Sequence, residues 1–167
     1  NIAVNFTGSD GTALQIGDRK MELPIFCAPM DTVIDTLAGI EMVKIGISPI
    51  LHRYCEIDSQ VQTFCAINEV PGAPVGAAVG ATGDYQDRTT ALYNVGCRLF
   101  CVDVAHGHHS LSVAAVEWIH ESFADARIMA GNVATVAGFD RLCEAGATFV
   151  RCGIGGGAVC STRIVTG

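Results

Sequence analysis

The sequence predicts an α/β fold, a TIM-type (β/α)8 barrel of which about six of the eight units are present. Three observations predict it. Six short runs rich in Val, Ile, Phe and Ala begin near Pro24, Ile47, Val75, Arg98, Arg127 and Thr148, at intervals of 23, 28, 23, 29 and 21 residues. Each interval is one β-α unit. Three of the intervening stretches end on glycine just before the next strand, at Gly46, Gly96 and Gly146, as expected where a left-handed residue closes a helix. Finally, polar residues gather after several different strands rather than after one.

Along the chain, Asp31 follows the first strand and His52 the second, and the Gly-rich run starting at Val75 forms the third. On the fourth, period 2 puts Leu99, Cys101 and Asp103 on one face with Asp103 at the rim; on the fifth it groups Ile128, Ala130 and Asn132. Both faces are assigned to the barrel interior. Leu111, Ala115, Trp118 and Ile119 fall at helical spacing and mark a cover helix. The 153–163 segment follows the sixth strand. Polar residues after several strands suit the active face of a barrel, whereas an open doubly wound sheet concentrates its ligand contacts at one switch point. A closed barrel takes roughly 250 residues, so residues 1–167 are expected to be a partial barrel lacking its last two units.

Composition narrows the function. The net charge is −7, which gives no electrostatic reason to bind nucleic acid or an anionic membrane surface. The apolar run 74–81 is far shorter than the roughly 20 residues of a membrane span. No signal-peptide pattern opens the chain at Asn1. The eight cysteines lie mostly in apolar runs and form no Cys-x-x-Cys, so reduced thiols in a cytoplasmic protein fit better than disulfides or structural zinc. A small-molecule partner is expected.

The strongest constellation is Val150-Arg-Cys-Gly-Ile-Gly-Gly-Gly-Ala-Val-Cys-Ser-Thr-Arg163. Gly153-x-Gly155-x-x-Ala158 matches a dinucleotide fingerprint loosely, but that motif follows a first strand and needs an acidic residue about 20 positions later. A P-loop is excluded because no Gly-Lys-Ser/Thr follows. What remains is a flexible loop carrying Cys160 near Arg163, a cation able to lower a thiol pKa. That is a nucleophile's setting, against the bland alternative of a buried small hydrophobe. Asp103 could be a helix cap or loop solvator, Asn132 a turn former, Arg151 a salt-bridging strand residue and His52 a loop histidine. His106, His108 and His109 lack the carboxylate partner a metal site would use. Cys27, Cys55, Cys65, Cys97, Cys101, Cys143 and Cys152 are read as packing residues.

Five motifs, in order, carry a resemblance: Pro24-Ile-Phe-Cys-Ala-Pro-Met-Asp-Thr-Val33, Val75-Gly-Ala-Ala-Val-Gly80, Val102-Asp-Val-Ala-His-Gly-His108, Ala130-Gly-Asn-Val-Ala-Thr135 and the 153–167 segment. Together they resemble the IMP dehydrogenase/GMP reductase family. Within it, the Gly-Ala-Ala-Val-Gly strand, the Ala-His-Gly-His loop and the Thr-Arg-Ile-Val-Thr-Gly tail look more like bacterial IMP dehydrogenase. Asp103-Val-Ala and Ile128-Met-Ala-Gly-Asn-Val also suit GMP reductase.

The resemblance implies NAD-dependent oxidation of IMP to XMP through a covalent intermediate on Cys160, with Thr162 beside the thiol. It implies cofactor contacts from Asp103, Val104, Ala105 and His52. Substrate contacts would come from Ala28, Met30, Asp31, Asn132, Arg151, Gly157 and Ala158. Carbonyl groups of Gly155, Gly157 and Cys160 would bind K+, a hard ion suited to oxygen ligands. A GMP reductase would use NADPH instead. The family also implies a homotetramer. Ala158 departs from the pattern, which has a phosphate-binding Ser there. Later phosphate loops and the water-activating flap are expected beyond Gly167, part of the pattern is expected before Asn1, and no CBS pair interrupts the chain after His52-Arg53. On that reading the fragment alone is inactive. A second reading is a short, non-catalytic relative that binds a nucleotide or assembles with another chain.

Overall fold

A computed structural model describes residues 14–155. In chain order the elements are β1 (Gln15–Ile16), β2 (Arg19–Lys20), β3 (Phe26–Cys27), α1 (Thr36–Lys44), β4 (Ser48–Leu51), α2 (Ile57–Asn68), β5 (Gly76–Val79) and α3 (Tyr85–Asn94). They continue with β6 (Leu99–Asp103), α4 (Ser110–Ser122), β7 (Arg127–Val133), α5 (Val136–Glu144) and β8 (Phe149–Cys152). Each expected strand appears within two residues of its expected start. The hairpin β1-β2, antiparallel through Gln15↔Lys20 and Ile16↔Arg19, was not anticipated, because two-residue strands are too short to show a period.

Sheet order follows chain order from β3 to β8 without reversal. Pairing is parallel between β3 and β4, between β4 and β5, and between β7 and β8. A doubly wound sheet reverses its order at a switch point, whereas consecutive parallel order is that of a β/α barrel. The fold is therefore α/β, with the strand sequence of a partial TIM barrel.

The described residues divide into two compact units, 14–78 with 90–99 and 79–89 with 100–155. In the first, β4 and β5 are buried at every position, as parallel strands covered on both faces must be. Ile50, Phe64, Ile67 and Leu92 form its apolar core. A Cβ at Gly39 would collide with Cδ1 of Ile67, so this glycine sets how closely α1 approaches α2. Arg19 donates from Nη1 to the carbonyls of Val70 at 2.9 Å and Ala73 at 3.1 Å, and from Nη2 to that of Asn68. The hairpin thus satisfies carbonyls at and beyond the end of α2, which would otherwise lack partners.

In the second unit the core is Phe100, Val102, Val116, Ile119, Ile128 and Leu142. The buried face of α4 is Ser112, Val113, Ala115, Val116 and Ile119. Leu111, expected on that face, is 49% exposed: it is the second residue of the helix, on the side turned to solvent. The expected helix closures recur. After α1, Ile47 donates to Met42, and after α5, Ala147 donates to Leu142, with Gly46 at φ +85 and Gly146 at φ +101 making each turn. One strand-face assignment changes. Gly131 pairs with Arg151 and Met129 with Phe149, so Met129 and Gly131, not Ile128 and Ala130, share the face carrying Arg151, Cys101 and Asp103. A strand buried on both faces reads as a continuous apolar run, which hides which alternate set points where.

Candidate functional site

Asp103, the last residue of β6, meets Arg151 of β8. Nη1 of Arg151 donates to Oδ1 of Asp103 at 2.6 Å and to Sγ of Cys101 at 3.3 Å. Both charged side chains are only partly exposed, 29% for Arg151 and 19% for Asp103. Burial pushes the Cys101 thiol up to about 11, against the pull of Arg151. At neutral pH Cys101 is therefore a neutral thiol, and Asp103 supplies the charge facing the guanidinium. Burial works against the Arg151 charge, but its partners outweigh it and hold the group above its ordinary value. The carboxylate and the guanidinium are thus paired at a strand end.

Asn132 lies beside a register shift between Gly131 and Val133. Its Nδ2 donates to the Gly153 carbonyl at 2.8 Å, and the Gly153 amide donates to Val133 at 2.8 Å. The Asn132 amide donates to Val104 at 3.0 Å, the Val104 amide to Gly131 at 3.2 Å and the Gly107 amide to Asn132 at 2.8 Å. The 104–107 loop, the end of β7 and the start of the glycine-rich run are thereby fixed to one another. Ala105 and His106 are exposed within that loop. His109 acts as the N-cap of α4, its Nδ1 accepting from the Leu111 amide at 3.2 Å. Gly155 is half-buried. Gly157, Ala158, Cys160 and Thr162 lie outside the described residues.

The first unit carries the remaining predicted residues. After β3, the Met30 amide donates to Ala28, and the Met30 carbonyl accepts from Val33 and Ile34 at 3.0 Å. This tight turn leaves Ala28 and Asp31 exposed and Met30 50% exposed. Asp31 and His52 line one cavity of about 210 Å³, together with Asp35, Cys55 and Gln60. Gln60 is buried and donates from Nε2 to the carbonyls of His52 at 2.9 Å and Ala78 at 3.0 Å. It fixes the backbone that carries His52. The His52 ring stacks on Tyr54 with centroids 6.4 Å apart.

Sequence reasoning missed Cys101 as an Arg151 partner, Gln60 as a support for His52, and Gly107. For Gln60 the only signal was a polar residue on a helix position that faces inward. Gly107 sits where a Cβ would lie 2.9 Å from the Asn132 carbonyl oxygen and from Cα of Gly131. Two of the cysteines read as packing residues are corrected: Cys143 and Cys152 are exposed, whereas Cys97 and Cys101 are buried. Cys143 sits on the outer side of α5, and Cys152 ends β8 next to a loop, so neither is covered. No helix among the described residues is long and apolar enough to cross a membrane.

Residues 11–167 match the family model described as IMP dehydrogenase / GMP reductase domain. Inosine-5'-monophosphate dehydrogenase of Nitrosopumilus maritimus is 33% identical over 97% of this chain and 36% of its own length. The protein of the same name from Staphylococcus saprophyticus is 43% identical over 93% of this chain and 34% of its own. GMP reductase of Streptococcus pyogenes is 31% identical over 93% of this chain and 47% of its own. The chain thus spans between about a third and a half of the length of these relatives. With a family model matched over nearly all its residues, the chain belongs to the IMP dehydrogenase / GMP reductase family.

Proposed function

We propose that this chain is part of a purine nucleotide oxidoreductase that oxidises IMP to XMP with NAD. The observation that carries the reading is the strand-end cluster of Asp103, Arg151 and Asn132, at which the glycine-rich run bearing Cys160 begins. Cys160, as thiolate, adds to C2 of the purine, forming a C–S bond. NAD, when bound, would supply the acceptor for the hydride on C2. Water then adds at C2 and the C–S bond breaks, releasing XMP and the thiol. Splitting one displacement into two steps is the gain of covalent catalysis. The chain's own residues position the reactants: a partly buried carboxylate held by a guanidinium suits the hydroxyl pair of a nicotinamide ribose. Thr162 would offer a hydroxyl beside the thiol, and Ala28, Met30, Asp31, Gly157 and Ala158 would line the nucleotide. Val104, Ala105 and His52 would flank the cofactor. Carbonyl oxygens of Gly155, Gly157 and Cys160 would hold K+, an ion suited to oxygen ligands, and the assembly would be a cytoplasmic homotetramer.

A second reading, GMP reduction with NADPH, draws on the Streptococcus pyogenes relative. One spectrophotometric assay of full-length protein separates them: NADH formed from IMP, or NADPH consumed with GMP. Cys160→Ser abolishes either activity. Neither signal with intact protein would overturn the enzyme reading and favour a nucleotide-binding or assembly module.

A further inference from the structure

Arg151 reaches two residues of β6 from a strand that pairs with β7. A side chain crossing a neighbouring strand needs an open lane, and Gly131 supplies it. Gly131 is the register partner of Arg151, and a Cβ there would lie 2.7 Å from both Cβ and the carbonyl oxygen of Arg151. Cys101 and Asp103, two residues apart on one face, accept from the same Nη1. The thiol thereby fixes the guanidinium at a second point along β6.

We propose that Arg151 is a positioning residue for Asp103, held in a lane left by Gly131, and that it orients the carboxylate toward the ribose hydroxyls of the nicotinamide nucleotide. The proposal rests on the oxidoreductase reading above. Oδ1 of Asp103 is pinned by Arg151, and Oδ2 carries no hydrogen bond to another described residue. Pinning one oxygen fixes the plane of the carboxylate, so the second is presented to a ligand without first having to be ordered. Arg151 therefore serves cofactor affinity through Asp103 rather than by touching the reacting atoms.

The test is steady-state kinetics on full-length protein, with the nicotinamide nucleotide varied at saturating purine nucleotide. Arg151→Met is expected to raise KM for the nicotinamide nucleotide about tenfold, with kcat changed by less than about threefold. Arg151→Lys, which keeps a cationic donor, is expected to recover most of that loss. Asp103→Asn gives a comparable rise, and the double variant is no worse than Asp103→Asn alone, because the two residues act as one unit. Should circular dichroism find Arg151→Met unfolded, Arg151→Gln is read in the same assay with the same expected rise. Additive effects in the double variant, or a fall in kcat at unchanged KM, would overturn the positioning role and leave the oxidoreductase reading standing. Wild-type protein inactive with both substrate pairs would overturn that reading, and this role with it.

Discussion

The side-chain amide of Asn132 holds the carbonyl of Gly153 at 2.8 Å, joining the end of β7 to the first residue of the glycine-rich run. The Gly153 amide returns a bond to Val133 at 2.8 Å, so the run leaves β8 from a fixed point. Asn132→Ala removes the side-chain donor and leaves the carbonyl to solvent, a loss of about 1 kcal/mol. The expected result is faster hydrogen exchange at Gly153 and Ile154, with exchange in β6 unchanged. Because a misplacement of about 1 Å can cost on the order of 100-fold in rate, turnover of the full-length protein should fall far more than stability does. Unchanged exchange at Gly153 would count against the tether.

Gly107 gives a sharper steric prediction. All three atoms nearest an added methyl are backbone: the Asn132 oxygen and Cα and C of Gly131, each at 2.9 Å. Backbone cannot rotate aside as a side chain can, so Gly107→Ala must push the 104–107 loop away from β7. Overpacking of this kind costs about 1 to 3 kcal/mol. Thermal unfolding should show a Tm lower by several degrees, together with a weakened Gly107 to Asn132 hydrogen bond reported by amide exchange.

These two positions also show where the sequence was readable and where it was not. Strand starts and helix closures were legible because they are local: a run of β-branched residues, or a glycine that alone accepts φ +85 at position 46. The role of Asp103 as a rim residue was legible from period 2 and its place at the strand end. The contact between Arg151 and Cys101 was not, because the residues are 50 apart in sequence and the lane between them depends on register. The same holds for Ile128 and Ala130, whose face follows from the Gly131↔Arg151 pairing and not from their own apolar character. His52 and Asp31 were each singled out separately; their shared cavity follows from the turn at Met30 and the support of Gln60.

Arg19 offers a test of the hairpin that no sequence pattern announced. Its guanidinium serves three carbonyls, of Asn68, Val70 and Ala73. Arg19→Met keeps much of the apolar stem and leaves all three acceptors without their charged donor. A destabilisation of about 2 to 3 kcal/mol is expected in urea unfolding. Arg19→Lys should recover less than half of it, since a compact ammonium cannot reproduce the planar fork. Full recovery by lysine would mean that charge alone, rather than the fork, secures the end of α2.

Alkaline pH should expose the two buried thiols. Burial pushes Cys97 up to about 12 and Cys101 up to about 11, from an ordinary value of 9.0. Below pH 9 both thiols are protonated in folded and unfolded chains alike, and their contribution is fully present. Between pH 9 and about 11 to 12 the unfolded chain releases protons that the folded chain retains. The unfolded state then binds fewer protons, so stability falls as pH rises through this window. Urea midpoints measured from pH 8 to 11 should decline for wild type and decline less steeply for Cys97→Ala and Cys101→Ala, whatever their midpoints at pH 8. At pH 8 a thiol reagent should label the exposed Cys143 and Cys152 in the native protein and reach Cys97 and Cys101 only after urea unfolding. Prompt labelling of Cys101 in the native state would show that the thiol beneath the Asp103 and Arg151 pair is open to solvent, contrary to its packing here.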